Sequence, residues 1–140
     1  MSLDNSVMFS VSALDRRFRK RGEKLIEGAG ITIGQFRVLS AVHDSGQLYQ
    51  KDIERACVIS RAGASGLVDA LVSSGLLLRE RVDSDGRLRQ LSLTSKGEEK
   101  LGEAKALFRQ LDNDVEALLG EEDKRNFLSL IDKLMDSFEE

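Results

Sequence analysis

Proline is absent from all 140 residues. Since proline in a helix interior removes a hydrogen bond and clashes with the preceding turn, a chain without it favours long, uninterrupted helices. Leu, Ala, Glu, Lys and Arg, all good helix formers, together make up nearly half of the chain. A single cysteine, Cys57, leaves no partner for an intrachain disulfide and fits a reducing compartment. There is also only one histidine, His43, with no cysteine or carboxylate at metal spacing, whereas a metal site needs three or four ligands. A partly buried or capping role is expected for it, and no metal or cofactor. With so little His and Cys, no glycine-rich phosphate loop and no nucleophile elbow, nothing points to an enzyme. No apolar run approaches the roughly 20 residues that span a bilayer, and the amino terminus lacks a secretory pattern. A cytoplasmic protein with no membrane partner is expected.

Apolar residues make up 41% and charged residues 32%, enough for one buried core beneath a charged surface. The net charge of −3 argues against a non-specific polycation, but its distribution is uneven. Residues 1–50 carry 7 basic against 5 acidic groups, residues 51–97 carry 8 against 6, and residues 98–140 carry 6 against 13. The acidic excess is confined to the last third, which leaves the middle able to present positive charge to a polyanion.

Val7, Val11, Leu14, Phe18, Leu25 and Ile26 predict one helix over residues 6–27, closed by Gly28 and Gly30. Its basic run, Arg16, Arg17, Arg19, Lys20 and Arg21, reads as a solvated face, with flanking phosphates or an anionic ligand as alternatives. Thr32 and Gln35 have capping-box spacing; Phe36, Leu39 and Val42 mark the stripe of the helix they start, and Ser45-Gly46 ends it. A short helix is predicted from about Gln50 to Cys57, with Ile53, Ala56 and Cys57 inward. Cys57 is expected to be buried and inert, as no adjacent positive charge would lower its thiol pKa.

Ser60 is a good N-cap for "RAGASGLVDALVSSG". There Ala64, Leu67, Val68, Leu71 and Val72 form one helical face, while Arg61, Ser65 and Asp69 lie on another. Two short helices joined through Val58, Ile59 and Ser60 form the pattern of a helix-turn-helix. Gly75 closes the second, and "LLLRERV" and "LRQLSL" read as strands on either side of Asp83-Ser84-Asp85-Gly86.

This turn is not a calcium loop. With Gly86 in the sixth place of an EF-hand, Arg81 would be the first ligand and Ser92 the twelfth, which should be glutamate. Asp85-Gly86 is instead a tight-turn signal. Arg79, Arg81, Arg87 and Arg89 around it suit either a charged edge that prevents strand aggregation or, directly after a helix-turn-helix, a wing reaching the minor groove or its phosphates.

Thr94 caps a further helix. Leu101, Ala104, Phe108, Leu111, Val115 and Leu118 form a heptad seam, and Phe127, Leu130, Ile131, Leu134, Met135 and Phe138 a second stripe after Gly120. Neither has an obvious partner in so small a domain beyond the first helix. A homodimer would bury all three, through Val7, Val11, Leu111, Val115, Leu118, Phe127, Leu130, Ile131, Leu134 and Phe138. Phe9, Phe18, Phe36 and Phe108 are expected in the core.

"GLLLRERVDSDGRLRQLSLTSKG", preceded by "ISRAGASGLVDALVSSG", resembles the multiple antibiotic resistance regulator (MarR) family of winged-helix repressors. The likeness lies in Gly75-Leu76, Arg79, Asp85 with Arg87, Leu93-Thr94 and Lys96-Gly97, and extends over nearly the whole chain. It implies a mainly α fold with a small β-hairpin wing, a winged helix-turn-helix lobe over 32–97 and dimerisation helices over 1–31 and 98–140. It further implies a homodimer on a near-palindromic DNA operator, released by a small-molecule inducer or by oxidation. The inducer pocket would lie between the dimer helices and the DNA-binding lobe, with some of the phenylalanines in it. The residue matching Arg87 would enter the minor groove, braced by Asp85, which agrees with the attraction of a narrow minor groove for guanidinium.

The expected DNA contacts are Ser60, Arg61, Ala62, Gly63 and Ser65 in the helix, and Arg79, Asp85, Arg87 and Arg89 in the hairpin. Arg61 suits a two-bond grip on guanine; Asp69, repelled by phosphate, is expected to pair with a neighbouring arginine. Gly63 and Gly66 stand where the family often has larger polar residues, allowing close approach to DNA or reducing base reading. The rival reading is a dimeric helical adaptor that uses the scaffold for protein partners without DNA.

Overall fold

The structure is a computed structural model and describes residues 5–57, 59–84 and 86–138. It contains six α-helices among the described residues: α1 (Val7–Ile26), α2 (Ile33–Ser45), α3 (Ile53–Cys57), α4 (Arg61–Ser73), α5 (Ser95–Leu119) and α6 (Glu121–Ser137). Three short strands, β1 (Leu48–Tyr49), β2 (Leu77–Arg81) and β3 (Arg89–Leu93), form an antiparallel sheet in the order β1-β3-β2. No single described helix is long and apolar enough to cross a membrane.

The helix boundaries follow local chemistry. Thr32 Oγ1 accepts from the Gln35 amide at 3.1 Å while Gln35 Oε1 accepts from the Thr32 amide at 3.0 Å, so the capping box is complete. Ser60 Oγ likewise takes the Gly63 amide at 3.1 Å and starts α4. At the other end of α2, Gly46 adopts φ +73°, which a side chain would resist.

A third cap joins elements distant in sequence. Thr94 Oγ1 accepts from the Gly97 amide at 3.0 Å to start α5, and donates to the Gly75 carbonyl at 2.6 Å. Lys96 Nζ donates to the Ser74 carbonyl at 3.0 Å. The amino end of α5 thereby satisfies carbonyls left open at the carboxy end of α4. Gly97 is buried against the Leu76 carbonyl, where any Cβ would collide with the backbone.

The core is built from Val38, Leu39 and Val42 of α2, Ile53 and Cys57 of α3, Ala64, Val68 and Leu71 of α4, and Leu76, Leu77 and Leu91 around the sheet. Leu101 and Ala104 from the first turns of α5 complete it. At about 1.5 Å per residue, α5 continues well beyond this core, and its far half packs against α1 and α6.

Several expectations need correction. Ala56 is exposed rather than inward, and Phe9 is exposed rather than core. His43 is exposed too, with Nδ1 3.1 Å from Glu98 Oε2, linking α2 to α5. The hairpin has a third strand, β1, that two-residue alternation is too short to reveal. Val58 and Asp85 lie outside the described residues.

Candidate nucleic-acid interface

Helices α3 and α4, the former with its preceding 3-10 turn from Gln50, meet at 115°, within the range of helix-turn-helix pairs. The outward side of α4 is made of Arg61, Ala62, Gly63, Ser65, Gly66 and Asp69, all exposed. Arg61 projects from its first turn, with 94% of its side chain accessible and Nε 3.9 Å from Glu54 Oε1. Gly63 lies against the cap, since a Cβ there would stand 3.1 Å from Ser60 Oγ. Gly66 has nothing within 4 Å of that position, so the protein itself does not demand a glycine there. The missing side chain leaves room for whatever approaches the helix.

The hairpin loop is wider than a two-residue turn. Val82 donates to the Leu88 carbonyl at 3.0 Å, and Asp83 closes the loop by accepting the Leu88 amide on Oδ2 at 3.1 Å. Gly86 takes φ +72°, with Arg81 lying across it. Asp83 is thus a shaping residue that strand pattern alone did not single out, although an aspartate bonding back to nearby amides is a known turn device.

Between α4 and this hairpin lies a cleft of about 300 Å³, lined by Gln50, Lys51, Glu54, Arg61, Ala64, Ser65, Arg87, Leu88 and Arg89. Four cationic side chains face one carboxylate. Of the residues expected to contact DNA, Arg61, Ser65, Arg87 and Arg89 line the cleft, and Ser60, Ala62 and Gly63 are exposed at the start of α4. Asp85 lies outside the described residues.

Arg79 is placed differently. Its Nη1 lies 2.7 Å from Asp69 Oδ1 and 3.3 Å from Gln50 Oε1, and only 25% of its side chain is accessible. It ties β2 to α4 and to the turn before α3. Asp69 pairs with an arginine, as electrostatics led one to expect.

A second cavity, of about 560 Å³, opens between α1, α2, α3 and α5. Phe18, Ile33, Phe36, Phe108 and Leu111 give it apolar walls, and Asp15, Arg19, Arg37, Ser40 and Asp44 are its polar components. Phe36 and Phe108 meet as a tilted pair with centroids 5.2 Å apart. Of the basic run on α1, Arg19 is held by Asp15 at 2.9 Å and Arg21 by Asp114 at 3.1 Å. Cys57 also lines the cavity. Burial pushes its thiol pKa up, and the Arg37 guanidinium opposes this in part; that charge comes from α2, and sequence adjacency did not reveal it.

The residues expected to dimerise cluster along α1, α5 and α6. Val7, Val11, Leu118, Leu130, Ile131, Leu134 and Phe138 are exposed, Leu118 to 86% and Phe138 to 77%. Leu111, Val115 and Phe127 are half-buried. Val11, Leu14, Phe18, Phe127, Leu130, Ile131 and Leu134 line an open apolar groove between α1 and α6.

Residues 29–88 match the MarR family. The transcriptional regulator HosA of Escherichia coli is 26% identical over 137 residues, covering 98% of this chain and all of that one. The HTH-type transcriptional regulator BilQ of Clostridium symbiosum is 28% identical over 109 residues, 78% of this chain and 76% of the relative. Among solved structures, the transcriptional repressor CouR bound to a 23-mer DNA duplex superposes with a TM-score of 0.87 at 26% identity, covering 95% of this chain and 94% of that one. With the helix-turn-helix, the three-stranded sheet and the flanking helices all in place, the chain has the winged-helix fold of these transcriptional regulators, and its residues 29–88 carry the match to the MarR family.

Proposed function

We propose that the protein is a homodimeric, ligand-responsive repressor that binds a near-palindromic operator and works in the cytoplasm, without a cofactor or enzymatic activity. The observation that carries this reading is the cleft where Lys51, Arg61, Arg87 and Arg89 converge between α4 and the hairpin. Residues 32–97 act as the DNA-binding lobe, and 1–31 and 98–140 as dimerisation helices. Helix α4 enters a major groove, with Ser60, Ala62 and Gly63 against the backbone and Arg61 and Ser65 at base edges. Arg87, steadied by Asp85, takes the minor groove with Arg89 beside it, and Arg79 joins the site by holding α4 against the hairpin. Two copies present these surfaces to half-sites roughly 34 to 36 Å apart.

Dimerisation is supported by the apolar groove and the exposed side chains around it. Burying each large apolar side chain contributes about 1.5–3 kcal/mol, and a row this long is unusual on a monomer. A ligand response is supported by the position of α3. Ala56 and Cys57 line the second cavity while Glu54, on the same short helix, lines the cationic cleft. A molecule filling the cavity has a direct mechanical route to the DNA-binding surface.

The test is fluorescence anisotropy with DNA from upstream of the protein's own gene, at several salt concentrations. Affinity should fall steeply with salt as counterions are released. Arg87→Ala should weaken binding by about 1–3 kcal/mol, whereas Lys51→Ala, a cleft-rim phosphate contact, should cost less and lower the salt slope by about 1. Equal losses would reject the groove role of Arg87. An intact dimer that binds no DNA, or binds it with no salt dependence, would favour the protein-adaptor reading.

A further inference from the structure

The wall of the second cavity depends on a side chain that is missing. Gly22 is buried in α1, about one turn before the helix ends at Ile26, and glycine is the poorest helix former after proline. A Cβ built on it would stand 2.7 Å from Cε2 of Phe108 and 3.2 Å from Cδ1 of Ile33. The Phe108 ring therefore lies directly on the α1 backbone. Its neighbours are Phe36, 5.2 Å away between centroids, and the cavity itself.

Added bulk at position 22 has to displace something. The obstructing atoms belong to the outer edge of a half-buried ring and to a side-chain methyl, not to backbone. A ring turns about its side-chain torsions far more readily than two packed helices separate. Ile33, Phe36 and Phe108 all line the cavity, which offers unfilled space beside the ring.

We infer that Gly22 is a specificity-determining position for the ligand: it lets Phe108 lie back against α1, keeping the cavity deep enough for a ring-sized apolar group. Any side chain there drives the Phe108 ring into that space and shuts it. The inference rests on the cavity being the ligand site of the proposed regulator, but concerns its shape alone. Gly22 touches neither the cationic cleft nor the α1–α6 groove. Ligand binding and DNA binding should therefore separate in variants at this position.

The natural ligand being unidentified, the probe is 8-anilinonaphthalene-1-sulfonate, which carries ring-sized apolar groups. Its binding to the full-length protein is followed by methyl NMR, with Ile33 and Leu111 reporting on the cavity and Leu130 and Leu134 on the groove. In the wild type, the Ile33 and Leu111 methyls should shift on titration. In Gly22→Ala the Kd read at these methyls should rise at least tenfold, with operator affinity unchanged. The double variant Gly22→Ala with Phe108→Ala should recover to within about threefold of wild type, because the displaced ring is gone. Phe108→Ala alone, which keeps Gly22, should bind the probe at least as tightly as wild type, and this arm remains readable if Gly22→Ala does not fold.

Wild-type affinity in Gly22→Ala, failure of the double variant to recover, or weaker binding in Phe108→Ala would each overturn the inference. A probe that fills the cavity but leaves operator affinity unchanged at saturation would count against the ligand-response reading instead, and would leave the role of Gly22 standing.

Discussion

Cys57 sits where two opposing influences on one side chain can be compared. Burial raises its pKa and the Arg37 charge lowers it, and burial is the larger. The fold therefore favours the protonated thiol. The stability this gives is fully present below the ordinary thiol pKa and is lost as pH rises through the raised one. Because the thiolate is the reacting species, alkylation by iodoacetamide at pH 8 should be at least about tenfold slower in the folded protein than in urea. Peroxide should leave operator affinity unchanged. Rapid alkylation in the folded state would instead mark Cys57 as an accessible sensor on the cavity wall. The sequence already indicated a buried cysteine from its place on the inner face of a short helix. It did not indicate Arg37, twenty positions earlier, because that proximity is created by packing α2 against α3.

At the scale of elements, the joint between α4 and α5 deserves a quantitative test. Thr94 and Lys96 from one helix close the carbonyl end of the other, and the close approach depends on Gly97. Gly97→Ala places a methyl against the Leu76 carbonyl, so backbone must move, at a cost of about 1–3 kcal/mol in urea denaturation. Gly66→Ala is the matched contrast. It meets open space, and should stabilise the protein by up to about 1 kcal/mol through helix propensity. If the two variants changed stability in the same direction, this account of the joint would be wrong. The capping box at Thr32, the cap at Ser60 and the stop at Gly46 were readable because each involves residues within three or four positions. Strand β1 was not, since two residues acquire strand character only through pairing with Leu91 and Gln90 of β3.

For the molecule as a whole, α5 is the member shared between its two ends. Leu101 and Ala104 are buried with the winged part, while Leu111, Val115 and Leu118 run out towards α1 and α6. Since Leu130 is exposed on the groove, Leu130→Glu should leave the protomer folded by circular dichroism. It should, however, turn a dimer into a monomer by light scattering. Operator affinity should drop by at least about 100-fold, because two linked half-site contacts become one. A Leu130→Glu protein that remained dimeric would place the interface elsewhere.

Taken alone, the sequence determined the helices, their caps, the charged hairpin and the apolar stripes on α5 and α6. These are short-range properties, set by periodicity and by side chains that bond to backbone a few residues away. Only the tertiary structure decided that Arg79 is tied to Asp69 and Gln50, that Phe108 rests on Gly22, that Ala56 lies on the wall of an open cavity instead of in the core, and that Phe9 is exposed. Those outcomes depend on which faces of separate helices meet. That is governed by the closest packing available to the whole core, and no local pattern encodes it.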